Sequence, residues 1–164
     1  MIINLIFWLF SIILLLAFLH LYSYHYLKWQ VVRSKKWDLN ISCGKTDGGG
    51  VNADIAKHAN LPNFVFLKDI YHLPFKDKQF DTILCSHTIE HVDNPKVFYQ
   101  ELKRVGKEVT LITPPIWDVY AALNFISHKW IILAFKKTHS TLPRMIPYPL
   151  GFLYAKLFKL IVKI

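Results

Sequence analysis

Charge is missing from both ends of this chain in different ways. No Asp, Glu, Lys or Arg occurs between Met1 and Leu27, and no Asp or Glu follows Asp118. Cysteine is scarce, with only Cys43 and Cys85 among 164 residues. Two isolated thiols in apolar runs exclude the disulfide framework of a small secreted domain, and no C-x-x-C zinc pair is present. They read as buried small hydrophobes. The six glycines include no G-x-G-x-x-G phosphate loop, which disfavours a dinucleotide. Charged residues make up 19% against 53% hydrophobic, which excludes a disordered chain. The length allows one domain.

The net charge of +9 is unevenly spread. Residues 28–37 carry four basic residues and no acid. Residues 38–118 carry nine basic and eleven acidic residues, net −2, and residues 119–164 carry seven basic residues alone. The section able to fold as a domain is thus slightly acidic. A basic groove with stacking aromatics is not evident, which argues against a nucleic-acid partner.

Ile2 to Leu27 is long enough to cross a bilayer, which takes about 20 apolar residues as a helix. Tyr22, Tyr24, Tyr26 and Trp29 form an interfacial aromatic cluster at its far end, and Lys28, Arg33, Lys35 and Lys36 follow. A cleaved signal peptide fits poorly, because there is no basic n-region and no small-x-small cleavage site. A helix apolar on every face is rarely covered by so small a soluble domain. The expectation is a single-pass membrane protein with residues 1–27 as the span. A basic linker (28–37) follows, and the remainder faces the cytoplasm.

From Trp37 onward, short apolar runs alternate with turn signals. Strands are expected over 38–43, 51–55, 64–67, 81–85 and 109–113, with a helix from Asn94-Pro95 to Val105. Continuous apolar strands with helices between them predict a mostly parallel α/β sheet. Ligands in such sheets sit beyond the strands' carboxyl ends. Those ends here carry Ser42-Cys43-Gly44, Asp54, Asp69, Ser86-His87 and Thr113. A glycine turn after the first strand and an acid ending the second suit a nucleoside-containing cofactor. Taken singly, Asp69 and Asp81 also read as turn formers and Asp54 as a helix N-cap.

The ordered set is more specific. Leu39-Asn-Ile-Ser-Cys-Gly44, Val51-Asn-Ala-Asp54, Lys68-Asp69 with Leu73-Pro-Phe75, Phe80-Asp81, Ile89-Glu-His-Val-Asp-Asn-Pro95, Glu101-Leu-Lys-Arg-Val105 and Ile112-Thr-Pro114 appear in order. Together they resemble the class I S-adenosylmethionine-dependent methyltransferases of the type 11 group. The resemblance implies a Rossmann-like domain over 38–135, shortened, with helices on both faces of a mostly parallel sheet, and S-adenosylmethionine as cofactor. Asn40, Ser42, Cys43 and Gly44 would form the turn beside the cofactor's methionine portion. Asp54 would bind the ribose hydroxyls, Asp69 the adenine amino group, and Ile70 would flank the ring. Ser86, His87 and His91 would lie near the methyl acceptor, with the histidines as catalytic candidates. No metal is implied.

The departures carry information. Asn40 stands where the family commonly has Asp, and Ser42 and Thr46 replace glycines. Only six residues separate Gly44 from Val51, whereas a parallel crossover normally takes a dozen or more. The first helix of the fold is therefore expected to be missing, and a catalytically inactive membrane scaffold is the alternative reading. His87-Thr-Ile-Glu-His91 also matches the H-x-x-E-H zinc-hydrolase pattern. That pattern needs a helix, and here it sits directly after a strand and before Pro95.

Beyond Pro115 the resemblance fades. A helix over 117–127, a strand over 128–135 and a proline-rich linker over 142–149 are expected. In the C-terminal segment 136–164, Lys156, Lys159 and Lys163 recur on one helical face, as in an interfacial helix or a capping helix of the domain. The expected partners are the lipid bilayer and a methyl acceptor that the residues do not identify.

Overall fold

The computed structural model describes residues 2–124 and 126–158. A continuous helix opens the chain: α1 (Ile2–Leu21), a π-helical turn (Tyr22–Leu27) and α2 (Lys28–Val32). Bulky apolar side chains on every face make α1 a helix with nothing buried: Ile3 and Trp8 are 81% and 65% exposed. The 31 residues Ile2–Val32 are long and apolar enough to cross a membrane. The helix does not end at Leu27. The first part of the expected basic linker, Lys28 to Val32, is helical, because its apolar residues find a surface to cover.

That surface is the sheet. Its strands are β1 (Trp37–Ile41), β2 (Gly49–Asp54), β3 (Phe64–Phe66), β4 (Phe80–Ser86), β5 (Gly106–Ile112) and β7 (Thr138–His139). They lie in the order β3-β2-β1-β4-β5-β7, parallel except for β7, which runs antiparallel to β5. Alternate side chains face opposite sides. Leu39, Ile41, Ile83, Cys85 and Leu111 enter the main core, while Leu84 and Ile112 point the other way. A separate pair, β6 (Trp130–Ile132) and β8 (Met145–Pro147), is antiparallel.

One helix covers the main core. α3 (Pro95–Val105) begins where Asn94 Oδ1 accepts the Val97 amide at 3.2 Å and Pro95 takes the first turn. It buries Pro95, Phe98, Leu102 and Val105 on one stripe. The opposite face is covered by α2. Val32 packs with Trp37, Leu84 and Ile112, and Trp29 and Val31 lean against them. The end of the apolar helix thus stands on the second face of the sheet, and both faces carry helix as expected.

The first crossover is a strap, not a helix. Residues 42–48 return from β1 to β2 over Asn40. A Cβ on Gly48 would stand 2.6 Å from Asn40 Cβ, and one on Gly50 would strike the carbonyls of Trp37 and Asp38. Asn40 Nδ2 donates to Thr46 O at 2.7 Å and to Asn52 Oδ1 at 3.2 Å, and Asn52 Oδ1 accepts Gly48 N–H at 3.0 Å. Among the described residues, no helix lies between β2 and β4 either. The Leu73-Pro-Phe75 stretch is held by Arg104, which bonds Glu101, Asp77 and the carbonyls of Leu73 and Phe75.

The last segment differs most from expectation. The helix expected over 117–127 shrinks to α4 (Val119–Ala122), capped by Asp118, whose Oδ1 accepts Ala121 N–H. The strand expected over 128–135 is only β6. The linker expected over 142–149 contains β8, because Met145 to Pro147 can pair with β6. α5 (Pro149–Phe158) accounts for the start of the C-terminal helix, and Lys159, Lys163 and the residues around them lie outside the described residues.

Candidate active site

The carboxyl ends of β1, β2 and β3 carry the first group of predicted residues. Ser42 (φ 52°) and Gly44 (φ 54°) turn the chain sharply in the left-handed region. The Gly44 amide donates to Asp54 Oδ2 at 2.8 Å, and Asp54 Oδ1 accepts the Ile55 amide at 2.7 Å. Asp54 is only 6% exposed. An ionised carboxylate has about four acceptor positions, so capacity for a ligand hydroxyl remains. Asn40 is buried and spent on the strap, so it does not face a ligand. Cys43 is buried as well, and burial pushes its thiol up to about 11. It packs in the wall of the turn.

Asp69 stands at an open cavity of about 460 Å³ lined by Ile55, Phe66, Leu67, Lys68, Asp69, Ile70 and Tyr71. Its Oδ1 accepts the Tyr71 amide at 2.8 Å, and Oδ2 lies 2.7 Å from His72 Nδ1. The hydrogen bond from His72 holds the carboxyl below its ordinary range. Ile70 is buried at the cavity floor. Half-exposed Asp69 with an apolar neighbour fits a flat base bearing an exocyclic amino group.

The second group gathers at the ends of β4 and β5. His87 sits at φ 53°, in the left-handed region, at the start of the loop formed by residues 87–93. Its Nδ1 lies 3.3 Å from Glu90 Oε1, within ion-pair reach. Both Glu90 carboxylate oxygens, His87 Nε2, Ser86 Oγ, Thr113 Oγ1 and His128 Nδ1 are buried without a hydrogen-bond partner. Buried polar groups are nearly always paired, so this concentration calls for a partner from outside the chain, a water, an ion or a ligand. Burial drives the Glu90 carboxyl up, but His87, His91 and His128 around it bring it down to about 2. Burial lowers His87 and takes His128 down to about 4. His91 Nδ1 is 2.8 Å from the Ser127 carbonyl, and its ring meets that of His128 edge-on at 4.7 Å. The loop is not helical, so the H-x-x-E-H segment lacks the geometry of a helical zinc motif.

Glu90 belongs to the H-x-x-E-H pattern and to the motif quoted for the resemblance, neither of which gives it a part in methyl transfer, and His128 is expected only to open a strand. What joins them is backbone: Glu90 O accepts both Lys129 N–H and Trp130 N–H, at 2.8 and 3.1 Å. The apolar helix also reaches this end of the sheet. Tyr24 lies 5.6 Å from the His87 ring, His20 Nδ1 is 3.1 Å from Asp118 Oδ1, and Lys137 bonds Ser23.

A 3-2-1-4-5 parallel order with an antiparallel strand beside β5, and a ligand edge at the strands' carboxyl ends, defines a Rossmann-like α/β domain. Residues 45–111 match the type 11 family described as a methyltransferase domain. The match runs from the first crossover into β5 and takes in 67 of the 164 residues. An uncharacterized protein of Methanocaldococcus jannaschii is 35% identical over 57 residues, covering 35% of this chain. The chain spans only 25% of that relative's length. Among solved structures, a SAM dependent methyltransferase from Aquifex aeolicus is 21% identical over 47% of this chain and 55% of its own, with a TM-score of 0.39. The YcgJ protein of Bacillus subtilis is 19% identical over 64% and 61% of the two chains, with a TM-score of 0.49.

Proposed function

We propose that this chain transfers a methyl group from S-adenosylmethionine to an acceptor with an apolar portion, at the cytoplasmic face of a membrane. The observation that carries the reading is the Asp69–Ile70 cavity, placed at the same sheet edge as Asp54 and the Gly44 turn. Asp69 and Ile70 would hold the nucleobase and Asp54 the ribose diol. The bound cofactor supplies an electrophilic methyl on a sulfonium. The chain's own task is then positioning, because an in-line displacement is governed by alignment. His87 Nε2, buried and unpartnered beyond the end of β4, is the atom set to receive a proton from the acceptor.

The membrane part of the reading rests on α1. Its side chains are unburied, and four basic residues follow, as the cytoplasmic end of a span requires. An apolar cleft of about 470 Å³ lies between α1 and α4, lined by Ile13, Leu16, Ala17, Leu21, Val119 and Tyr120, with His20 at its edge. Hydrocarbon would fill such a cleft, and Asp118, bonded to His20, marks its polar end.

A non-catalytic scaffold is the second reading, favoured by the strap that consumes Asn40 and by the three amides (Gly44, Ile55 and Ala56) already held by Asp54. Calorimetric titration of the full chain in detergent micelles with S-adenosylmethionine separates the two. The enzyme reading expects binding that Asp69→Ala weakens by roughly 10–100-fold, the value of a hydrogen bond to a charged group. No binding at millimolar cofactor leaves the scaffold.

A further inference from the structure

Glu90, His91 and His128 place one ligand atom each within 4.8 Å of one another. We propose that these three residues form a binding site for a divalent transition metal, with zinc the best fit. Two imidazoles and one carboxylate are a borderline donor set, and three protein ligands leave one coordination position open.

Three features support the site. First, Glu90 is fully buried, its Oε2 lacks a hydrogen-bond partner, and its Oε1 has only an ion-pair contact, His87 Nδ1 at 3.3 Å. A buried carboxylate left like this is expensive, and a cation is the direct remedy. Second, His128, 5% exposed, also has an unpartnered ring nitrogen, Nδ1. Third, His91 is held by an outer partner. Its Nδ1–H donates to the Ser127 carbonyl at 2.8 Å, which leaves the lone pair on Nε2. Metal-bound histidines typically make this kind of outer contact.

The frame is built as well. Besides the two amides on Glu90 O, Trp130 Nε1 donates to Val92 O at 2.9 Å and Lys129 Nζ to Asp93 Oδ1 at 2.7 Å. The loops carrying Glu90, His91 and His128 are therefore tied together on both sides of the ligands. Zinc–nitrogen and zinc–oxygen bonds of about 2.0–2.2 Å require the three atoms to close up by an ångström or so. Rotation about the side-chain bonds of Glu90 and His128, which no hydrogen bond holds at the carboxylate or at Nδ1, supplies it. His87 approaches Glu90 Oε1 and would orient the carboxylate. In this site His91 is a ligand and not a base. The site stands on this chain's geometry and does not depend on methyl transfer.

The test uses tag-free full-length protein in detergent micelles, stripped with chelator and titrated with Zn2+ alone, without cofactor. One equivalent is expected, and Co2+ in its place should give the intense visible bands of a tetrahedral site. Glu90→Gln and His128→Ala should each weaken Zn2+ binding by about 100-fold or more, since even outer partners are worth 10–100-fold. Because those variants could lose structure, His128→Cys is the decisive one. It should keep the metal and add a thiolate-to-cobalt charge-transfer band. Failure of the wild type to bind, unchanged binding in His128→Ala, or no thiolate band in His128→Cys each overturns the proposal.

Discussion

Lys137 Nζ donates a 2.8 Å hydrogen bond to Ser23 Oγ, joining two buried residues 114 positions apart. The bond fastens the π-helical turn of the apolar helix to the segment entering β7. It also buries an amine. Burial lowers Lys137 to about 8, with Asp118 and Glu90 pulling upward and Lys28 downward. The folded pKa lies below the unfolded one, so between about pH 8 and 10.5 the unfolded chain binds more protons. The contribution of Lys137 to stability should therefore rise across that window, by up to about 3 kcal/mol. Thermal unfolding in micelles from about pH 7.5 to 9, below the range in which unfolded thiols ionise, should show the start of this rise, and Lys137→Met should flatten it.

α2 is expected to behave as part of the domain. Val32→Asp puts an unpaired charge against Trp37, Leu84 and Ile112 and should destabilise by about 3–5 kcal/mol. Gln30→Ala, at an exposed position of the same helix, should stay within about 0.5 kcal/mol. Denaturant unfolding of the two variants makes the comparison, and equal midpoints would show that residues 28–32 are a linker after all.

Two glycines of the first crossover should differ in cost. Gly44→Ala meets open space and pays only for its left-handed backbone, about 1–2 kcal/mol. Gly50→Ala drives a methyl into the carbonyls of Trp37 and Asp38, where no flexible side chain can yield. It should lose about 3 kcal/mol or more. Unfolding midpoints that fall in the opposite order would mean that the strap does not lie where described.

Both thiols should be inert in the native state. Burial raises Cys85 to about 12 and Cys43 to about 11, so almost no thiolate exists at pH 8. Ellman's reagent should titrate no thiol in folded protein and two after denaturation. Rapid reaction of Cys43 alone would indicate that the Gly44 turn opens.

The central strands were legible from short apolar stretches between turn signals, such as Phe64-Val-Phe66 and Ile83-Leu-Cys85, and α3 because Asn94-Pro95 announces its start. Asp54 ends β2 as expected, whereas Asp69 stands three residues beyond Phe66, where β3 stops. Asn40 was misleading: its position in the first motif pointed to the cofactor, but the shortened crossover recruited it to hold Thr46. His128 was hidden for another reason. Its companions Glu90 and His91 lie far away in sequence, and the backbone bonds that unite them have no side-chain signature. β8 was hidden by Pro143, Pro147 and Pro149 in and around it, and Pro147 is tolerated in the strand because the two-stranded ladder is all edge.

The strap between β1 and β2 bears on how the chain acquires its shape. Leu39 pairs with Val51, only twelve positions later. A parallel pair ordinarily waits for a far longer crossover to close, and each doubling of such a loop adds about 0.6 kcal/mol of entropy. Here the pair closes almost as locally as a hairpin. Local contacts form early, so β1 and β2 can meet before α3 and β5 have been synthesised. The sheet of this small domain would then grow outward from a nucleus lying just behind the apolar helix.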